Sequence, residues 1–276
     1  MNKVSVNGQY TSENNSKSGW NREGIMTVAG GTVLMFILGA FYLWGTIGIY
    51  VTSYLRQFEP DLTIGTTSVL FPLQGIVIAI GWPLGKVVQK YIRLRIIVII
   101  YMIFICGSYL LQSFVKAFWL YAFLYAVVTG FFTGVVYFPP ILTGWKHLPT
   151  RKGSVTGIVV AGFAIGSFIF GIITEKIVNP DDISPTHKGT DGQNYYIEEE
   201  ILNRVPMMLR VLAGSYAVLA VIGIFLLQDV RDPEESESHV RLIDDESDIS
   251  RSPEEPVMTF KEAFKTKQLY MLTFMV

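Results

Sequence analysis

Six long stretches of this chain contain no Asp, Glu, Lys or Arg, and they limit what it can fold into. They run Ile25–Tyr54, Leu62–Gly85, Ile96–Val115, Ala117–Trp145, Gly153–Thr174 and Val211–Gln228. A hydrocarbon core of ~30 Å takes about 20 apolar residues in helical form, and each stretch meets or approaches that length. Periodicity alone does not separate such runs from buried strands, but their length does. Only 16% of the residues are charged, against about 25% in soluble domains. The sequence therefore predicts an all-α membrane protein with the lipid bilayer as its surroundings. The sixth stretch is the shortest. It follows Arg210 directly, whose apolar stem lets the charge snorkel to the interface or face inward.

The flanks differ in kind. Residues 1–24 are polar, lack the pattern of a cleaved signal peptide, and read as a disordered cytoplasmic tail. Residues 25–228 form the membrane unit. Residues 229–258 hold 11 acidic and 3 basic residues with three prolines. They read as a solvated linker too polar to build a core. Its Ser236, Ser238, Ser247 and Ser250 stand beside acidic residues and are candidates for phosphorylation. Residues 259–276 begin with a mixed-charge segment able to lie along the membrane surface. They end in a nine-residue apolar run that reads as the start of a seventh helix. The expectation is the N-terminal part of a longer chain.

Lys and Arg are unevenly shared between the connections. With the N-terminus placed in the cytoplasm, sixteen fall on inner segments and five on outer ones. The second and fourth connections are basic, while the first and third are nearly bare. The positive-inside rule thus puts the N-terminus and the acidic linker in the cytoplasm. The sequon Asn14-Asn15-Ser16 then lies on the side where glycosylation does not occur. A net charge of -1 and a pI near 6.3 point to no nucleic-acid partner.

Catalytic and metal-ligating groups are sparse. His147, His187 and His239 all lie in loops, none at metal spacing, and the lone Cys106 sits in an apolar run as a packing residue. No carboxylate is buried in a span, so the chain does not read as an enzyme, and no cofactor or metal is expected. The run Glu198–Glu200 reads as a solvated face. Glycines four apart, Gly81/Gly85, Gly130/Gly134 and Gly162/Gly166, together with Gly157, allow close packing of helices. Pro72 and Pro139-Pro140 predict kinks whose freed carbonyls must face protein or a wet cavity. Tyr42, Trp44, Gln74 and Tyr137 are the candidate contacts for a small-molecule substrate; Gln74 is the amide set deepest in a span. Bonding of Gln74 to a neighbouring helix is the competing role, as an interfacial belt is for Tyr50 and Tyr54.

Several stretches resemble the major facilitator superfamily, in its monocarboxylate and oxalate/formate branch. The run 145–171, WKHLPTRKGSVTGIVVAGFAIGSFIFG, is similar to that branch's junction of helices four and five. Residues 39–54, GAFYLWGTIGIYVTSY, look like its first helix, and 81–95, GWPLGKVVQKYIRLR, like the loop between helices two and three. The resemblance implies six helices forming one half of a bundle built from 3+3 inverted repeats. It implies a gating loop carried by Gly81, Gly85, Lys86, Arg93 and Arg95, and a cavity lined by Tyr42, Trp44 and Gln74. It also implies cationic substrate contacts in a second six-helix half, beyond Val276. Lys86 stands where the family usually has an Asp near Gly85, and Tyr91-Ile92-Arg93 replaces a Gly-Arg pair. The implied activity is secondary active transport of a small organic anion, a monocarboxylate or dicarboxylate, by alternating access. The alternative is a non-transporting membrane protein of the same fold, such as a channel subunit or nutrient sensor.

Overall fold

A computed structural model describes residues 21–189 and 191–228. The expectations for the N-terminal tail, the acidic linker and the seventh helix fall outside those residues, except at their borders. Among the described residues six helices are long and apolar enough to cross a membrane: α1 Arg22–Arg56, α2 Ile64–Tyr91, α3 Leu94–Gln112, α4 Phe118–His147, α5 Pro149–Val178 and α6 Glu199–Leu226. Between α5 and α6 a small hairpin pairs β1 (His187–Lys188) with β2 (Asn194–Tyr195).

The helices start and stop for local reasons. Asn21 caps α1, its side-chain oxygen accepting from the Gly24 N–H at 2.7 Å. The polar tail therefore ends three residues earlier than the composition predicts. Thr63 caps α2 in the same way. The largest departure is α6, which begins at Glu199, twelve residues before its charge-free stretch. Its first turns are amphipathic: Ile201, Leu202, Val205, Met208 and Leu209 are buried, while Arg210 is exposed. Charge-free length underestimates a helix whose polar face is wet.

Pro72 lies three residues into the main run of α2, past a turn at Val69, so it marks a helix start rather than a mid-span kink. Deeper inside the helices, among the described residues, lie Pro83, Pro139, Pro140 and Pro206. Besides the tight first turn of α5 at Pro149–Arg151, two described segments within the helices depart from α geometry. Gly39–Leu43 in α1 is wound tighter, and Phe123–Thr129 in α4 is wound wider. The wide segment has a visible cause. The Leu124 carbonyl accepts from Ser108 Oγ of α3 and from Thr129 Oγ1, both at 2.9 Å.

Two glycine seams hold the bundle. On the first, Gly81 of α2 faces Phe131 and Gly134 of α4 and Gly85 faces Val135, while Gly130 of α4 faces Gln74 and Val77 of α2. A Cβ on Gly81 would stand 2.8 Å from the Phe131 carbonyl oxygen, and one on Gly85 would overlap the Val135 carbonyl. Pro139 has no N–H to give that Val135 carbonyl, which packs instead against the bare Cα of Gly85. On the second seam, Gly162 and Gly166 of α5 face Thr32 and Phe36 of α1, whose carbonyl oxygens would overlap or nearly overlap an added Cβ; Gly39 of α1 likewise meets Phe163 and Ser167. Gly157 belongs to neither seam. It is exposed, with nothing within 4 Å of a Cβ position, because the α5 face that carries Gly162 and Gly166 turns away from it.

α3 and α6 are tied crosswise. Arg95, at the start of α3, donates from Nε and Nη2 to the Leu227 carbonyl just past α6, at 3.1 and 2.7 Å. Arg210 of α6 donates from Nε to Ser113 Oγ just past α3, at 3.2 Å, and lies over the Phe114 ring.

A Gly85→Ala substitution is expected to lower stability by about 1–3 kcal/mol, the cost of overpacking a closed contact. Gly157→Ala should be neutral or stabilising, since Ala favours an exposed helix by roughly 0.5–1 kcal/mol. Thermal unfolding of the two variants in detergent, read by size-exclusion chromatography, tests the ordering.

Candidate functional site

The tight turn at Gly39–Leu43 directs Phe41 and Tyr42 to one side of α1 and Leu43 and Trp44 to the other. Tyr42 is 54% exposed, whereas Trp44 is 7% exposed. From Tyr42 an unbroken line of rings crosses four helices. Phe41 stacks on Phe71 of α2 at 4.7 Å, Tyr42 meets Phe163 of α5 edge-on at 5.4 Å, and Phe163 meets Tyr137 of α4 at 6.0 Å. Trp82 of α2 adjoins Tyr137 at 5.9 Å. The result is an aromatic wall with two phenol hydroxyls, offered by the two helices in each seam. Ring faces and edges give it shape, and the hydroxyls can donate to or accept from a small polar solute.

Two of the four predicted contacts, Tyr42 and Tyr137, therefore share this wall. The other two do not. Trp44 packs against Tyr125 in the wide segment of α4, with rings 4.9 Å apart. Gln74 is 1% exposed, with its side chain against Gly130. Its Oε1 has no hydrogen-bond partner among the described residues. Phe163 and Phe71 went unnoticed in the sequence because Phe is ordinary in an apolar span; only their place across from tyrosines sets them apart. Of the loop motif, Gly81 and Gly85 build a seam and Arg95 ties α6, while Lys86 and Arg93 are exposed.

The two ends of the bundle differ in charge. The end that gathers Asn21, the α2–α3 and α4–α5 connections and Gln228 carries eight Lys or Arg and one carboxylate among the described residues. Here His147 Nε2 lies 3.2 Å from the Gln228 carbonyl oxygen. The Trp145 indole N–H donates to Thr156 Oγ1 at 2.9 Å. The opposite end carries six basic and nine acidic groups among the described residues.

At that acidic end the hairpin is latched to α1 and α2. The Tyr195 hydroxyl donates to Asp191 and accepts from the Ile64 N–H at 3.0 Å, while Arg56 lies 4.0 Å over the Tyr195 ring and donates to the Leu62 carbonyl. Tyr196 stacks on Tyr50 at 4.9 Å and its N–H donates to Ser53 Oγ. The Tyr195 hydroxyl holds the Asp191 carboxyl below its ordinary range, and burial pushes the Tyr195 phenol up. Asp191 thus stays ionised as the link's acceptor above the usual carboxylate pKa. The link fails only as pH falls through the lowered value. Among the described residues no group of His, Cys, Asp and Glu is placed to hold a metal ion.

No protein-family profile matches the sequence. The chain is similar to a membrane carrier, apicoplast pyruvate carrier 1 of Toxoplasma gondii, at 25% identity over 248 residues. The match covers 74% of this chain and 45% of that protein, so the chain spans less than half the length of the curated relative it matches.

In a Cys106→Ser background, Tyr42→Cys is expected to react with a water-soluble maleimide, and Gln74→Cys to resist it by at least tenfold in rate. Mass-shift labelling in liposomes measures both.

Proposed function

We propose that this chain supplies one six-helix half of a secondary carrier that moves a small organic anion, a monocarboxylate of pyruvate size, by alternating access. The observation that carries the reading is the aromatic wall across α1, α2, α4 and α5. It is a continuous set of rings and hydroxyls with no charge of its own, suited to the uncharged side of an anion's cavity. A second helical unit opposite the wall would bring the cationic groups.

The 3+3 inverted repeat of the major facilitator architecture is part of this proposal, and the seams support it. Exchanging the first three helices for the last three turns the α2–α4 seam into the α5–α1 seam, and the Arg95 tie into the Arg210 tie. Such pairings are what two inverted repeats around a midplane site would produce. The charge difference between the ends supports a cytoplasmic N-terminus. The name of the Toxoplasma carrier supports the choice of pyruvate as the first substrate to try. In this reading Tyr42 and Tyr137 hydrogen-bond the substrate. Trp44 and Gln74 act behind the wall, Trp44 by bracing the wide segment of α4 and Gln74 by filling the α2–α4 seam.

The test is counterflow of radiolabelled pyruvate into proteoliposomes carrying the full-length protein. Saturable exchange that needs substrate on both sides is expected. Tyr42→Ala is expected to cut its rate about tenfold without loss of folded protein, which corresponds to about 1.4 kcal/mol. Conductance without exchange would refute the carrier reading, and an unchanged Tyr42→Ala rate would remove Tyr42 from the cavity.

A further inference from the structure

α2 presents two exposed stripes of opposite character. On one, Leu73, Ile76, Ile80, Leu84 and Val87 recur every three or four residues. All are large aliphatic side chains, which suit lipid or an apolar neighbour. The other stripe carries Phe71, Gly75, Trp82 and Lys86, in steps of four, seven and four residues that return a helix nearly to one face. This is the side of the aromatic wall. Phe71 stacks on Phe41, and a Cβ on Gly75 would meet Phe41 at 3.8 Å. Trp82 adjoins Tyr137 and Phe138 of α4 at 5.9 and 5.8 Å. Lys86 stands exposed one turn beyond Trp82, towards the basic end.

α5 repeats the pattern. Phe163 of the wall shares a face with Thr156 and Lys152, seven and eleven residues earlier, and Lys152 is exposed at the same basic end. Trp145 of α4 closes that stripe, its indole N–H donating to Thr156 and its ring centroid 5.9 Å from the Lys152 ammonium. At this end α2, α4 and α5 carry no carboxylate; the one described carboxylate there is Glu23, in the first turn of α1. A lysine that only marked the cytoplasmic side could stand on any exposed position, yet the aliphatic stripe of α2 holds none through Val87. A surface of low polarity edged by charge of one sign focuses the field and concentrates solutes of the opposite sign.

We propose that Lys86 and Lys152 form a cationic mouth at the basic end of the aromatic wall, which gathers the small organic anion and hands it to Tyr42 and Tyr137. The inference rests on the carrier reading and adds the residues of this half that select for negative charge. The two lysines act on capture rather than on the crossing itself. They set the affinity on that side of the membrane and leave the maximal rate to the rest of the protein.

Thiol probes of opposite charge test the mouth without requiring transport, so its failure is distinct from failure of the carrier reading, which counterflow decides. The full-length protein, freed of its own cysteines, carries a reporter thiol on the wall: Tyr137→Cys or, as a second position, Tyr42→Cys. It is held in nanodiscs of zwitterionic lipid and treated with an anionic sulfonatoethyl and a cationic trimethylammonioethyl methanethiosulfonate. In about 10 mM salt, Lys86→Gln and Lys152→Gln are each expected to lower the anionic-to-cationic rate ratio about threefold or more. In about 1 M salt, where the screening length falls to about 3 Å, the difference should vanish. Lys86→Arg keeps the charge and is expected to keep the ratio. Arg93→Gln removes one charge at the same end, at the start of α3, which lends no ring to the wall. It is expected to shift the ratio by less than half as much. An unchanged ratio in either lysine variant would overturn the mouth, as would an equal fall in Arg93→Gln. In counterflow, Lys86→Gln should raise the KM for pyruvate several-fold with the maximal rate within about twofold; a lower maximal rate at unchanged KM would also overturn it.

Discussion

Close approach of backbone to backbone at two glycine seams underlies the arrangement of this bundle. Lipid gives helices no hydrophobic reason to associate, so packing and polar contacts must supply it. At the α2–α4 seam the contact also settles a debt left by Pro139, whose missing N–H leaves the Val135 carbonyl open to the bare Cα of Gly85. The α1–α5 seam forces Gly39 against the α5 backbone, at the start of the tightened turn that sends Tyr42 and Trp44 to opposite sides. The aromatic wall is thus a consequence of where glycine was placed: Gly81 and Gly162 directly precede Trp82 and Phe163, and Gly39 stands two residues before Phe41.

Much of this was legible in the sequence, and the limit falls at the level of helix faces. Length and the lack of charge revealed all six membrane helices, because a bilayer imposes a minimum length that no soluble element needs to meet. Glycine spacing of four identified the seams, since four residues return a helix nearly to the same face. The boundaries of α6 were missed because Arg204 and Arg210 interrupt the charge-free run while the helix continues on its buried side. Spacing groups Gly157 with the packing glycines because it does not reveal which face meets a neighbour.

The candidate site was only half legible for a related reason. Tyr42 and Trp44, two residues apart, differ by more than half a helical turn, so one faces the wall when the other faces the interior. Gln74 was singled out as a polar group in an apolar span, and polarity alone does not distinguish a cavity from a seam. The interior tyrosines Tyr109, Tyr121, Tyr125 and Tyr216 attracted least notice, since a tyrosine in a membrane sequence suggests the interface first. Their burial becomes evident only when α3, α4 and α6 are brought together.

The crosswise ties between α3 and α6 have a mechanical consequence. Each arginine restrains one direction of sliding along the shared axis: Arg95 anchors the end of α6 to the start of α3, and Arg210 anchors α6 to the end of α3. Sliding either way stretches one charge-assisted bond or compresses the other. The pair therefore behaves as a strut of fixed length, free to tilt but not to telescope. Any rearrangement of this unit has to turn the strut as a rigid piece, leaving the smooth glycine seams to absorb the shear.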